Sequence, residues 1–122
     1  MKNFFTLCLL LLAFLNVNAQ NMTKEQATNV ILKNLKGQEY DYPVVGEMGY
    51  QKIASAEIDS SELFLFKNSS GKELFWFRIE DSTISLKDGT LVIWHGYHRH
   101  VIKISKGKAE KVIEAFNSIK NS

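Results

Sequence analysis

Residues 50–104 run YQKIASAEIDSSELFLFKNSSGKELFWFRIEDSTISLKDGTLVIWHGYHRHVIKI, and the fold turns on how this stretch divides. Apolar and β-branched runs alternate here with clusters of turn formers. Tyr50–Ile58 reads as a first strand, and Ser60-Ser61 begins a turn. Glu62–Lys67 is a second strand with a continuous Leu63-Phe64-Leu65-Phe66 centre. Asn68-Ser69-Ser70-Gly71 then signals a turn before a third strand, Glu73–Ile79. Thr83–Lys87 is the fourth, Asp88-Gly89 a type I′ hairpin turn, and Thr90–His95 the fifth. After a second tight turn at Gly96-Tyr97, His98–Ile104 is the sixth. The spacing predicts an antiparallel meander. Several strands are apolar on both faces, so both faces need cover, from a rolled sheet, a barrel or packed helices.

Helices flank this stretch. Thr23 is a good N-cap and Gln26, three residues on, completes a capping box. Met22 can staple onto Ala27. Ala27, Val30, Ile31 and Leu35 form one apolar stripe, which Gly37 is placed to end as the C′ residue. Residues 38–49 read as irregular, with an extended Tyr40-Asp41-Tyr42-Pro43 and a short strand at Val44-Val45 left open. Ser105 can cap a last helix, in which Ala109, Val112, Ile113, Phe116 and Ile119 follow helical spacing while Lys108, Glu110, Lys111, Glu114 and Lys120 are polar. The expected fold is therefore α+β: an N-terminal helix, about six antiparallel strands as a rolled sheet or partial barrel, and a C-terminal helix packed on the sheet.

Upstream, residues 1–19 read as a cleavable secretory signal peptide. Lys2 supplies the charge, Phe4–Leu15 the apolar core broken only by Thr6, and Val17-Asn18-Ala19 the processing site. The apolar run is too short to span a bilayer of ~30 Å as a helix. An uncleaved anchor is the alternative. The one cysteine, Cys8, lies inside this run with Leu7 before it, which argues against lipid attachment. Residues 20–122 then form a single cysteine-free domain, secreted or periplasmic, that can make no disulfide or thiolate site. Losing Lys2 lowers the formal net charge from +2 to +1, which excludes a nucleic-acid binder on bulk charge. No stable membrane insertion is expected after cleavage.

The segments Ile79–Leu86, Asp88-Gly89, Leu91-Val92-Ile93, Val101–Ile104 and the helix from Ala109 to Ile119 together resemble, in hydrophobic pattern, the second half of bacterial pleckstrin-homology-like domains. The resemblance covers about a third of the chain. It implies a bent, partly open barrel closed by a C-terminal helix, and a ligand- or protein-binding scaffold without catalytic residues.

All three histidines, His95, His98 and His100, fall within six residues. With Gly96-Tyr97 as a two-residue turn, His95 lies opposite His98, and His98 shares a face with His100. Three imidazoles on one face can hold zinc or copper. The competing reading is a polar hairpin tip or a core edge, since Ile93, Ile102 and Ile104 share that face. On the other face Trp94, Arg99, Val101 and Lys103 would lie together, and an aromatic beside two cations can hold a carboxylate, phosphate or sugar. Burial statistics for tryptophan favour sheet packing for Trp94. Trp76 must point away from Phe75 and Phe77, and packing under a helix is the favoured reading for it.

No nucleophile elbow, zinc-protease helix, phosphate loop or dinucleotide fingerprint is present. Glu80-Asp81 on a strand would diverge. No catalytic residue and no cofactor is expected. The functional expectation is a small exported, non-enzymatic binding protein of the cell envelope or extracellular space, engaging a protein or small anionic ligand. A metal-binding histidine hairpin and an unrecognised small hydrolase are the alternatives.

Overall fold

The computed structural model describes residues 22–41 and 49–121, so residues 1–19, read above as a signal peptide, with Cys8, Pro43 and Val44-Val45, lie outside the described residues. The described chain is α+β, with two helices and eight antiparallel strands in two sheets.

Helix α1 (Lys24–Leu35) starts as the sequence dictates. Thr23 Oγ1 accepts from the Gln26 backbone N–H, and the Gln26 side chain accepts from the Thr23 N–H. It stops at Lys36, where Gly37 takes the left-handed conformation (φ +90°) that a side chain would resist. Strands β1 (Glu39–Asp41) and β2 (Tyr50–Lys52) follow, then β3 (Ser55–Ile58), β4 (Phe64–Lys67) and β5 (Glu73–Phe77). After a 3-10 turn at Ile79–Asp81 come β6 (Ser82–Lys87), β7 (Thr90–His95), β8 (His98–Lys103) and helix α2 (Lys106–Lys120). One sheet has the order β2-β1-β8-β7-β6 and the other β3-β4-β5.

This corrects the expected six-strand meander in a rolled sheet or partial barrel. The segment Tyr50–Ile58 is two strands in two different sheets. The switch occurs between neighbours: the Ile53 N–H donates to Gln38 O at 2.8 Å, while the Ala54 N–H donates to Lys67 O at 2.9 Å. Ile53 is fully buried at this corner, as befits a strand that turns from one packed sheet to the next. Tyr40-Asp41, read as irregular, belongs to β1, which joins β2 to β8. The sheets are not closed into a barrel.

One core unites the layers. Phe64 and Phe66 on β4 face Phe77 and Phe75 on β5 in register, with ring centroids 5.2 and 4.5 Å apart. Across to the five-stranded sheet, Tyr40 stacks on Phe75 at 4.4 Å. Toward the helices, Phe77 meets Phe116 at 6.3 Å. Helix α2 buries Ala109, Val112, Ala115 and Phe116 here, and α1 adds Ala27, Ile31 and Leu35. The C-terminal helix thus covers its own core. Ser105 occupies its N-cap position but its hydroxyl makes no capping bond.

Two hairpin loops are built alike. Asp59 and Asn68 each accept, through Oδ1, from the N–H and Oγ–H of the serine two residues on and from the N–H four residues on. Each loop also closes with the same two backbone bonds. The fourth residue of each, Glu62 and Gly71, has positive φ, +65° and +83°. This is a type I turn followed by a left-handed residue.

Candidate functional site

The β7–β8 hairpin carries every candidate metal and ligand residue the sequence singles out, and its register decides what each can do. His95 pairs with His98, Trp94 with Arg99 and Ile93 with His100. The connection is the expected two-residue turn, and Gly96 alone takes positive φ (+61°), as at the first position of a II′ turn. The period of two then sends His95, His98 and His100 to the inner face with Ile93 and Ile102, and Trp94, Arg99, Val101 and Lys103 to the outer face.

The inner face does not bring the three imidazoles together around a common point. His100 turns into the core, 5.0 Å from the Phe75 ring, with its Nδ1 3.2 Å from Tyr40 Oη. A Tyr40 hydroxyl donating there leaves the ring proton on Nε2, which is fully covered and makes no hydrogen bond of regular geometry. Burial, with smaller contributions from the neighbouring His98 and His95, lowers the His100 pKa from its usual value to about 4, and the Trp76 backbone opposes this only in part. His100 is a half-buried residue at the edge of the core, and burial holds its ring in the neutral form at ordinary pH. His95 and His98 stay at the rim. His95 meets the Trp76 indole edge-on at 4.8 Å. Among the described residues no group of three or more His, Cys, Asp and Glu is arranged to hold a metal ion.

Trp76 is 39% exposed and leans on His95, so it does not pack under a helix as the sequence reading favoured. Phe75 and Phe77, its neighbours, fill the core, and strand alternation forces the indole to the other side. Trp94 corrects a second expectation. It is 44% exposed on the outer face, because both helices bury their apolar residues on the inner side and leave this face uncovered by either.

The outer face also holds a residue the sequence reading passed over. Tyr50, 46% exposed, lies on β2, and Lys103 Nζ sits 5.4 Å from its ring centroid. It reaches this face only because β1 bridges β2 to β8, a pairing with no strong local signal. Register places Lys52, Glu39, Lys103, Thr90 and Lys87 in one row across the sheet, with Asp41 beside Tyr50 in the next. With Arg99, four cations share the face with two carboxylates among the described residues.

Compared with protein-family models, curated proteins and solved structures, the chain gives no match. The residues themselves carry the functional reading. No helix among the described residues is long and apolar enough to cross a membrane.

Proposed function

We propose that this is a small exported, non-enzymatic binding protein of the cell envelope or extracellular space, and that it engages an envelope or secreted protein, or a small anionic ligand, through the outer face of its five-stranded sheet. The observation that carries this is the exposure of Trp94 directly opposite Arg99, on a face where Lys103 and Tyr50 already make a cation–π pair. Large aromatics and arginine are the side chains that dominate protein interfaces. A cationic surplus on one face favours an acidic partner. The leader-like residues 1–19 support export, the absence of any recognised catalytic motif supports binding over catalysis, and the resemblance to pleckstrin-homology-like domains supports a binding scaffold by analogy.

The test compares the protein with a Trp94→Ala/Arg99→Ala variant. Immobilised protein should recover specific partners from envelope and secreted fractions that the variant loses, or a panel of small anions should raise its melting temperature but not the variant's. A ligand at 100 times its Kd stabilises by ~2.7 kcal/mol, well within reach of a melt. Equal recovery at equal affinity, with no anion acting on either, removes the outer face from consideration.

The facing register of His95 and His98 supports a second reading, zinc or copper held by these two imidazoles and a further ligand. The same melts run with each metal test it: a shift must appear, and must vanish in His95→Ala/His98→Ala.

A further inference from the structure

A cleft of about 250 Å³ opens where the start of α1, the β3–β4 loop, the 3-10 turn and the end of α2 meet. Ile58, Phe64, Ile79 and Ile119 form its apolar wall. Its charged groups are Lys24, Glu62, Arg78, Glu80 and Lys120, and two of the three cations are already engaged. Lys24 is ion-paired with Glu62, and Lys120 donates to the Ser82 carbonyl. The third, Arg78, has no carboxylate within ion-pair distance among the described residues. Its guanidinium makes one long hydrogen bond, 3.4 Å, to Ser61 Oγ. It also acts at longer range on Asp59, whose Oδ1 is occupied by Ser61 and Leu63. Arg78 is half-buried as a residue while its guanidinium reaches an exposed position with one long hydrogen bond. A guanidinium with most of its five donors open to solvent, beside an apolar wall, suits a carboxylate by its chemistry.

The mouth of the cleft carries a second, independent mark. Glu62 sits at φ +65°, in the place where the matching loop has Gly71. A left-handed conformation costs a side-chain-bearing residue ~1 kcal/mol or more, which glycine would avoid. The residue is nevertheless glutamate, and its carboxylate ties the loop to Lys24 across the cleft mouth. That pairing neutralises Lys24, and Lys120 keeps its charge but is held on the neutral Ser82 carbonyl. Arg78 is therefore the cation with donors open to an entering ligand and, with Lys120, outweighs the single charge of Glu80. Strained backbone of this kind concentrates at binding sites.

We propose that this cleft binds a small monocarboxylate with an apolar tail, its carboxylate on the Arg78 guanidinium and its tail along Ile58, Phe64, Ile79 and Ile119. The volume lies at the small end of ligand pockets, which suits a short chain and not a bulky ring system. The site is distinct from the outer face of the sheet and stands without that reading.

Octanoate is the probe, titrated into the intact protein by calorimetry, with octanol and octylamine as partners of equal chain length. Octanoate should saturate one site, and the methyl resonances of Ile58, Ile79 and Ile119 should shift with the same isotherm. Arg78→Gln, which leaves the backbone carbonyl that Ser82 uses, should weaken octanoate about tenfold or more with the melting temperature unchanged. Octylamine or octanol binding as tightly as octanoate would overturn the proposal. So would methyl shifts confined to other residues, which need no variant to read, or an Arg78→Gln protein that binds octanoate undiminished.

Discussion

The two faces of the β7–β8 hairpin are made of adjacent residues and have opposite fates. Ile93 is fully buried while Trp94, the larger apolar surface, is 44% exposed. His100 lies among Tyr40 and Phe75 while Arg99 stands in solvent. Residue type does not order these burials. For these pairs the side of the sheet on which the helices and the second sheet lie does, and strand alternation hands every second residue to that side. Val92, buried on the outer face between Ser85 and Val101, departs from the pattern. The largest test of this contrast is a pair of truncations. Ile93→Ala should cost about 2–5 kcal/mol in chemical denaturation, because it opens a cavity between β6, β8 and the core. Trp94→Ala should cost about 1 kcal/mol or less, as surface substitutions do. A Trp94→Ala loss matching that of Ile93→Ala would mean that the outer face is covered, and would remove it as a binding surface.

Acid should separate the faces next. In the folded chain His100 holds its proton only below a pKa of about 4, against 6.5 for an ordinary histidine. Above pH 6.5 the ring is neutral in both states and contributes no pH dependence. Between those values the unfolded chain binds a proton that the folded chain refuses, so stability falls as pH drops. The whole loss is at most about 3.4 kcal/mol, and less once solvent screening of this partly exposed ring is allowed for. Carboxylates titrate in the lower part of the same window, so the informative quantity is a difference. His100→Leu should flatten the stability curve between pH 6.5 and 4 relative to the parent, whereas Arg99→Ala should leave its slope in place. Parallel curves for His100→Leu and the parent would show that the ring titrates freely and does not belong to the core.

Much of this contrast was legible in the sequence. The two-residue turn at Gly96-Tyr97 was enough to place the three histidines on one face and Trp94 with Arg99 on the other, and β7 runs over the predicted Thr90–His95. The capping box at Thr23 and the positive φ values at Asp88 and Gly89 also follow from local chemistry. What was hidden depends on contacts far along the chain. Strand β1 has three residues and a single buried one, Tyr40, and it is a strand because β2 and β8 flank it. The corner at Ile53 contains neither glycine nor proline. It exists because Gln38 and Lys67 compete for successive N–H groups. Tyr40 is the residue that draws His100 inward, and they are 60 positions apart. Nothing local announces that contact, so the sequence leaves a metal site, a polar hairpin tip and a core edge all open for the three histidines, and the structure turns His100 inward while His95 and His98 stay at the rim.

The smallest effect compares the two matched loops, and it bears on whether Glu62 is held under strain. Gly71→Ala should cost about 1 kcal/mol or somewhat more, since alanine resists the left-handed conformation there. No neighbouring atom lies within 4 Å of an added Cβ at Gly71, so that cost is conformational and not a clash. Glu62→Ala and Glu62→Gly both remove the exposed ion pair to Lys24, worth only about 0.5 kcal/mol. They differ in the backbone alone: alanine keeps the penalty of φ +65° and glycine relieves it. Glu62→Gly should therefore be more stable than Glu62→Ala by about 1 kcal/mol, and close to the parent overall. Equal stabilities for the two variants would show that the loop bears no cost at this position. The glutamate would then mark nothing about the cleft, and Arg78 would have to support the carboxylate site alone.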